Sequence, residues 1–104
     1  MIVRMWETRV RPGQLGALVA HVRDSVWPTV TNAEGFLGGE VLTAHASDDP
    51  RLLLITRWAD ESALQSYLGP HWRSHEITPV PEEAEFVLRF RFADHWSPVP
   101  DPSE

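Results

Sequence analysis

The segment YLGPHWRSHE, residues 67–76, holds a dense set of side chains that could do chemistry. A neutral histidine can accept a proton from a phenol near neutral pH, because the reference pKa of imidazole is about 6.5. A tyrosine hydroxyl can donate a hydrogen bond to a substrate oxygen or relay a proton. We therefore predict His75 and Tyr67 as catalytic residues. The structural alternatives are a surface histidine at a helix end and a core-facing tyrosine.

A metal site is the other chemistry that this segment could support. His71 lies four residues before His75, so a helix through both would place their rings on one face. Such a pair binds a divalent ion only with a third ligand. The sequence does not place one nearby, so we expect no metal and a solvated His71.

Five tryptophans in 104 residues favour a ligand site, although large rings also fill cores. Trp6 and Arg4 share one side of a predicted strand, where they form either a pocket floor or part of a subunit interface. Trp72 is either a lid or a packing residue, and Trp27 either closes the pocket mouth or is exposed. His21 flanks an apolar helix face, and a half-exposed helix residue is its simpler interpretation. The predicted substrate-binding residues are Trp6, Arg4, Trp27, Trp72 and His21.

Composition excludes several classes of function. The net charge of −6 and the absence of a long basic run argue against nucleic-acid binding. No apolar stretch reaches the length of a membrane span, and no signal segment opens the chain, so the cytoplasm is the default location. Without cysteine there are no disulfides and no thiolate catalysis. The length predicts one domain, residues 1–96, followed by a proline-rich tail, residues 97–104.

The first half of the chain predicts a strand and then a helix. Residues 2–11 alternate and carry β-branched and aromatic side chains, which is typical of a strand. A helix follows Pro12 and should end near Pro28. Its apolar face consists of Leu15, Leu18, Val19, Val22 and Val26.

The second half predicts a hairpin, a helix and a last strand. Residues 36–46 and 51–59 form the hairpin, and Gly38–Gly39 allows a bulge or a close backbone approach. Asp60 caps a helix that Gly69–Pro70 interrupts, and a short helical piece continues to about Ile77. The last strand spans residues 85–96, with its inward face formed by Phe86, Leu88, Phe90 and Phe92.

The element order β-α-β-β-α-β predicts an α+β, ferredoxin-like sandwich with a split βαβ arrangement. Two helices cover only one face of such a sheet. Residues 52–55 are apolar without alternation, the pattern of a strand buried on both faces. A second copy of the chain would cover the other face, so we expect a homodimer, with a seam made partly polar by Glu85, Arg89 and Arg91.

The stretches GFLGGEVL and LLLITRWADESALQSYLGP, followed by a distal histidine, resemble the antibiotic biosynthesis monooxygenase (ABM) superfamily. The resemblance spans roughly residues 2–95 and implies a dimeric α+β barrel. That superfamily includes cofactor-independent monooxygenases of aromatic polyketide phenols, haem-degrading enzymes and members without an assigned activity.

The resemblance to the haem-degrading branch of this superfamily can be followed residue by residue. That branch carries an asparagine where this chain has Trp6, a tryptophan where it has Tyr67, and a histidine that matches His75. Loss of the asparagine argues against haem degradation. Haem binding with His75 as axial ligand is the alternative that this match leaves open.

We therefore predict a cofactor-independent monooxygenase, or a related tailoring enzyme of antibiotic biosynthesis, acting on a small aromatic, polyketide-type phenol. His75 would deprotonate the phenol, and Tyr67 or Arg4 would hold the resulting oxyanion. The alternatives are a haem-binding protein and a non-oxidative cyclase-like or ligand-binding protein of the same fold.

Overall fold

The computed structural model describes residues 1–45, 48–74, 76–77, 81–88 and 91–100. For residues 76–77 and 91–92 the description covers the backbone alone. The elements in chain order are β1 (Ile2–Arg9), α1 (Leu15–His21), a π-helical segment (Val22–Val26), α2 (Trp27–Thr31), β2 (Phe36–Thr43), β3 (Arg51–Trp58), α3 (Glu61–Leu68), β4 (Glu76–Ile77) and β5 (Arg91–Trp96).

The described strands form one sheet in the order β2-β3-β1-β5-β4, and every neighbouring pair is antiparallel. With the two-residue β4 set aside, this is the strand order of a ferredoxin-like fold. The predicted α+β class and the hairpin of β2 with β3 are confirmed. The division of the chain at residue 96 stays a prediction, and residues 97–100 have no regular structure.

The core lies between the helices and one side of the sheet, which we call the inner face. Alternation along β1 directs Arg4, Trp6 and Thr8 to this face, where all three are buried. Two clusters of buried side chains form there. The first contains Trp6, Val10, Leu18, Val22, Leu52, Leu54, Val87 and Ala93, and the second contains Val30, Trp58, Leu64 and Trp72.

The first helix does not end at Pro28 as expected, because α2 continues to Thr31. The π-helical segment precedes it, and the Trp27 N–H bonds to the carbonyl of Val22, five residues back. Pro28 thus lies in the first turn of α2, where a missing N–H costs little. The predicted apolar face is correct, since its members are buried or pack against the first cluster.

The predicted cap and stop of α3 are confirmed. The Asp60 side chain accepts a hydrogen bond of 2.9 Å from the backbone N–H of Ala63. Gly69 then adopts a φ of 90°, a conformation that favours glycine, and its N–H bonds to the Gln65 carbonyl.

The helical piece expected after this break is wrong. Residues 71–73 form a turn, with the Trp72 N–H bonded to the Gly69 carbonyl, and Glu76–Ile77 pair as β4 with β5. His75 lies outside the described residues. The turn precludes the single helix that would have aligned His71 with the segment beyond it.

The last strand is also shorter than expected, and the side chains that precede it do not face the predicted sides. Residues 81–86 form turns, Val87 makes an isolated bridge to Val10, and β5 begins at Arg91. Val87 is buried, whereas Leu88 is 48% exposed, so the expected inward face is wrong at Leu88. The bridge to Val10 decides the orientation, because cross-strand partners point to the same side of a sheet. Phe90 lies outside the described residues.

The glycine pair of β2 serves both expected purposes. Its register with β3 shifts between Phe36 and Gly38, which marks a bulge. A Cβ atom on Gly39 would collide with the carbonyl oxygen of Ile55. Gly39 therefore permits the close approach of β2 to β3.

The other side of the sheet, which we call the outer face, is partly exposed and carries apolar side chains beside charged ones. By strand register, Met5 lies opposite Ile55, Leu42 opposite Leu53, and Trp96 beside Val3. Leu42 and Trp96 are 45% and 57% exposed. A single copy of the chain therefore leaves this face without cover among the described residues.

Candidate active site: an aromatic cavity with charged ends

A cavity of about 210 Å³ lies on the inner face, between the two core clusters. Aliphatic side chains from the π-helical segment, α2, β3 and α3 contribute part of its lining. We call it the aromatic cavity. Its aromatic and polar lining consists of Arg4, Trp6, Thr56, Trp58, Tyr67 and Glu83.

Arg4 places a cation in the wall of this cavity. Its side chain donates a hydrogen bond of 3.2 Å from Nη1 to the Trp72 carbonyl, and the same nitrogen lies 3.0 Å from Nε2 of His95. Within the described part of the chain, no carboxylate forms an ion pair with Arg4. Burial lowers the pKa of Arg4 to about 10, partly opposed by Tyr67. Arg4 is therefore still a cation at neutral pH and can hold an anionic oxygen.

Tyr67 and Trp58 form a stacked pair in the wall. Their ring centroids lie 5.3 Å apart at an interplanar angle of 29°. The Trp58 indole donates a hydrogen bond of 2.9 Å to Oγ1 of Thr56, which fixes the ring. Burial raises the pKa of Tyr67 above its usual value, with Arg4 opposing the shift. The Tyr67 hydroxyl is therefore protonated at neutral pH and can act as a hydrogen-bond donor.

His95 is a site residue that sequence reasoning missed. It comes from β5, next to Arg4 in the strand register, and its ring meets Trp72 edge-on at 4.9 Å. Burial lowers the pKa of His95, Arg4 lowers it further and Asp94 opposes the shift. A neutral ring can accept the hydrogen bond from Arg4 at Nε2, so the proton sits on Nδ1. No local pattern marks this residue, because its partner is 91 positions away.

Glu83 was also missed, and it gives the cavity a carboxylate. It is only 7% exposed, and its Oε1 lies 3.4 Å from Nε2 of His21. The ring of His21 in turn packs against Phe86 at 5.9 Å. His21 thus stands beside a lining residue rather than lining the cavity itself. In the sequence Glu83 is one of several acids in a proline-rich loop, and nothing distinguishes it.

The remaining predicted residues do not line the aromatic cavity. Trp27 is half-buried and packs edge-on against Phe36 at 5.9 Å. Trp72 is buried in the second cluster, with the Arg73 guanidinium 4.4 Å from its ring centroid. His71 is exposed. Trp6, Arg4 and Tyr67 are the predicted site residues that the structure brings together in one cavity.

Among the described residues, neither a metal-binding cluster nor a membrane-spanning helix is present. No group of three or more His, Cys, Asp or Glu residues could hold a metal ion. No helix is long and apolar enough to cross a membrane.

A family model described as antibiotic biosynthesis monooxygenase (ABM) matches residues 1–75 of the 104. The chain belongs to the ABM family. No curated protein matches it at a significant level.

Solved structures agree with this membership at the level of fold. Rv0793 from Mycobacterium tuberculosis is 20% identical, with a TM-score of 0.70 and 97% of both chains covered. ActVA-Orf6, a monooxygenase of Streptomyces coelicolor in complex with nanaomycin D, is 17% identical, with a TM-score of 0.64 and 96% of this chain and 88% of that chain covered.

A variant of MhuD gives a similar match. It was crystallised with two manganese protoporphyrin IX molecules per active site and is 21% identical, with a TM-score of 0.68 and 97% of both chains covered. Structural neighbours of this ABM domain therefore bind ligands of quite different size.

Proposed function

We propose that this ABM domain is a cofactor-independent monooxygenase, or a related tailoring enzyme, that acts on an aromatic, polyketide-type phenol. The observation that carries the proposal is the aromatic cavity, in which Trp6, Trp58 and Tyr67 surround a space with a buried guanidinium in its wall. Ligand sites of this type are mostly apolar, with a few polar groups that fix orientation.

The charges in the cavity suit a substrate that becomes an anion. Arg4 is a cation at neutral pH, since its pKa is about 10, and it can stabilise a phenolate oxygen. The Tyr67 hydroxyl, whose pKa is raised, can donate a second hydrogen bond to the same oxygen. His75 stays our prediction for the base that removes the phenolic proton, and it lies outside the described residues.

The reaction balances without an added reductant when the substrate is an anthrone-type phenol. Its phenolate form transfers an electron to O₂, and one oxygen atom then bonds to the ring carbon. The two hydrogens of that carbon leave with the second oxygen atom as water, so the ring is oxidised to a quinone while O₂ is reduced. The protein contributes the deprotonation, the orientation and a dry site.

A porphyrin fits the described cavity less well. Pockets for drug-sized ligands measure about 300–1,000 Å³, whereas this cavity measures about 210 Å³. Haem binding would require the walls to separate, and the proposed axial ligand, His75, is outside the described residues. An aromatic ligand of a few fused rings suits the observed space better than a porphyrin, so we propose that no haem takes part.

We also propose a homodimer in which the outer faces of two sheets pack together. The support is the apolar patch formed by Met5, Ile55, Leu53 and Leu42 on neighbouring strands of the outer face, with the exposed Trp96 on the same face. Contiguous exposed apolar surface of this kind marks an interaction site. The salt bridge of 3.0 Å between Arg57 and Glu40 would add a polar part to the seam.

The test is aerobic incubation with an anthrone-type phenol, followed by quinone absorbance and oxygen uptake. We expect turnover without added haem, flavin or metal, and unchanged turnover in the presence of a chelator. His75→Ala should lower the rate about 100-fold, the contribution typical of a general base. His71→Ala is the matched control in the same segment, and it should leave the rate unchanged.

Two results would contradict the proposal. The first is oxygen uptake no faster than without protein across a series of such phenols. The second is activity that appears only after haem is added, together with a Soret band that His75→Ala abolishes.

A further inference from the structure

Glu83 and Arg4 reach the aromatic cavity from different ends of β1. The partners of Arg4 are Trp72, which follows α3, and His95 on β5. The turn that carries Glu83 is attached at the other end of β1. There the Leu88 N–H bonds to the Arg9 carbonyl, and the Arg11 N–H bonds to the Phe86 carbonyl.

The length of the strand separates these two attachments. A strand rises about 3.3 Å per residue, so Arg4 and Arg9 are roughly 16 Å apart along β1. Trp6 lies between them on the same inner face and lines the cavity. Arg4 and Glu83 therefore enter the lining of the aromatic cavity from opposite ends of β1, with Trp6 between these two attachments, and we call the two sides the cationic end and the acidic end.

The acidic end has a defined chemical preference. A carboxylate only accepts hydrogen bonds, so it favours a donor such as a hydroxyl group and disfavours a second anion. Burial of the carboxylate would be costly without compensation. His21 provides compensation from Nε2, 3.4 Å from Oε1 of Glu83, and Phe86 supports the His21 ring.

We propose that Glu83, positioned by His21, accepts a hydrogen bond from a ring hydroxyl of the ligand. The aromatic cavity then selects hydroxyaryl compounds that carry an acceptor or anionic oxygen at the opposite end, against Arg4. This inference rests on the proposed function in so far as both place an aromatic substrate in this cavity. It adds the orientation of that substrate and a second polar group.

Binding of three redox-stable probes tests the inference without any turnover. 6-Hydroxy-2-naphthoate carries both groups, 2-naphthoate lacks the hydroxyl, and 6-methoxy-2-naphthoate has an ether that cannot donate. Quenching of tryptophan fluorescence reports binding, because Trp6 and Trp58 line the cavity. We expect the hydroxyl compound to bind about tenfold more tightly than the other two, the gain typical of a hydrogen bond to a charged group.

Variants then assign that gain to Glu83. Glu83→Met should reduce the tenfold preference, measured as the ratio of the affinities for 6-hydroxy-2-naphthoate and 2-naphthoate in the same protein, to about onefold. His21→Leu should lower the preference without affecting 2-naphthoate. His21→Gln should retain it, because the glutamine amide can still donate to the carboxylate.

The affinities of the wild type for the three probes test the proposed preference for a ring hydroxyl even if a variant does not fold. Circular dichroism would reveal a variant that does not fold. Equal affinities for the three probes, or an unchanged preference in folded Glu83→Met, would overturn the inference. The proposed function would fail separately, as an absence of oxygen uptake in a protein that still prefers the hydroxyl probe.

Discussion

The inner face of the sheet buries Arg4 and Thr56 among aromatic rings, whereas the outer face leaves Met5, Ile55 and Leu42 without cover. Both faces come from the same strands, because alternate residues point to opposite sides. The buried side therefore contains costly polar groups, and the partly exposed side contains apolar side chains beside the Arg57–Glu40 ion pair.

The contrast between the two faces supports the proposals that the inner face serves ligand binding and the outer face serves subunit association. Burial of a guanidinium lowers stability unless the charge is compensated, so its presence beside a cavity favours a role in ligand binding. Exposed apolar side chains lower solubility unless a partner covers them, so their presence favours an interface. Four predictions test the contrast.

Ile55→Asp should have the largest effect, because it places a charge in the centre of the proposed seam. We expect dissociation of the homodimer at micromolar concentration and a loss of at least about 2 kcal/mol in the free energy of unfolding. Sedimentation velocity and urea denaturation measure both quantities.

Gln65→Asp provides the matched control, since Gln65 is exposed on α3, away from the outer face. It should leave the dimer intact. A wild-type protein that sediments as a monomer would refute the proposed covering of the outer face.

Arg4→Met should separate binding from stability on the inner face. We expect the affinity for 2-naphthoate to fall about tenfold or more, because the buried cation is lost. The free energy of unfolding should rise by about 1 kcal/mol at neutral pH, since a buried charge is replaced by an apolar chain. In the wild type, 2-naphthoate binding should also weaken above about pH 10, where Arg4 loses its proton.

Arg57→Met is the comparison on the outer face, where Arg57 pairs with Glu40. Its affinity for 2-naphthoate should equal that of the wild type. An equal loss of affinity for 2-naphthoate in Arg4→Met and Arg57→Met would mean that Arg4 acts through the overall charge of the protein rather than through the cavity.

His95→Gln should change the pH dependence of stability by a smaller amount. The folded-state pKa of His95 is lowered by burial and by Arg4, while Asp94 raises it and Arg73 lowers it slightly. Between that pKa and about 6.5 the unfolded chain binds more protons, so stability falls as the pH falls through this window. Glutamine can still accept from Arg4 but does not titrate.

Urea denaturation of both proteins between pH 5 and about pH 8 measures this difference. The wild type should lose stability on acidification more steeply than His95→Gln. Parallel curves would show that His95 contributes nothing to the acid side of the profile.

Thr8→Val should have the smallest effect. Thr8 is 1% exposed, and its hydroxyl has no hydrogen-bond partner within the described residues. Valine removes that buried polar group, so the free energy of unfolding should rise by about 1 kcal/mol. Thr56→Val on the same face should instead lower it by about 1 kcal/mol, because Thr56 accepts from Trp58.

Thermal or urea denaturation gives the sign of the change in the free energy of unfolding for each threonine substitution. A loss of stability in Thr8→Val would mean that its hydroxyl is satisfied in solution, for instance by a bound water.

Much of the fold could be predicted because its signals are local. Alternation in residues 2–11 and the Asp60 cap each involve neighbours in the chain, and the structure agrees with both. One error falls where a tertiary contact overrides local preference. Val87 rather than Leu88 faces inward because it pairs with Val10, which is such a contact. The error at Pro28 has a local cause instead, because a π-helical segment places this proline in the first turn of α2.

The residues of the candidate site likewise divide into those that local pattern predicts and those that only tertiary packing brings together. Alternation along β1 was enough to place Arg4 and Trp6 on one side of the strand, and the motif pattern was enough to suggest the ABM family. Only the tertiary structure decided that Glu83 and His95 join them, since these residues come from a loop and a strand at the far end of the chain. Local pattern specifies which way a side chain points, but the groups that it meets depend on how distant segments pack.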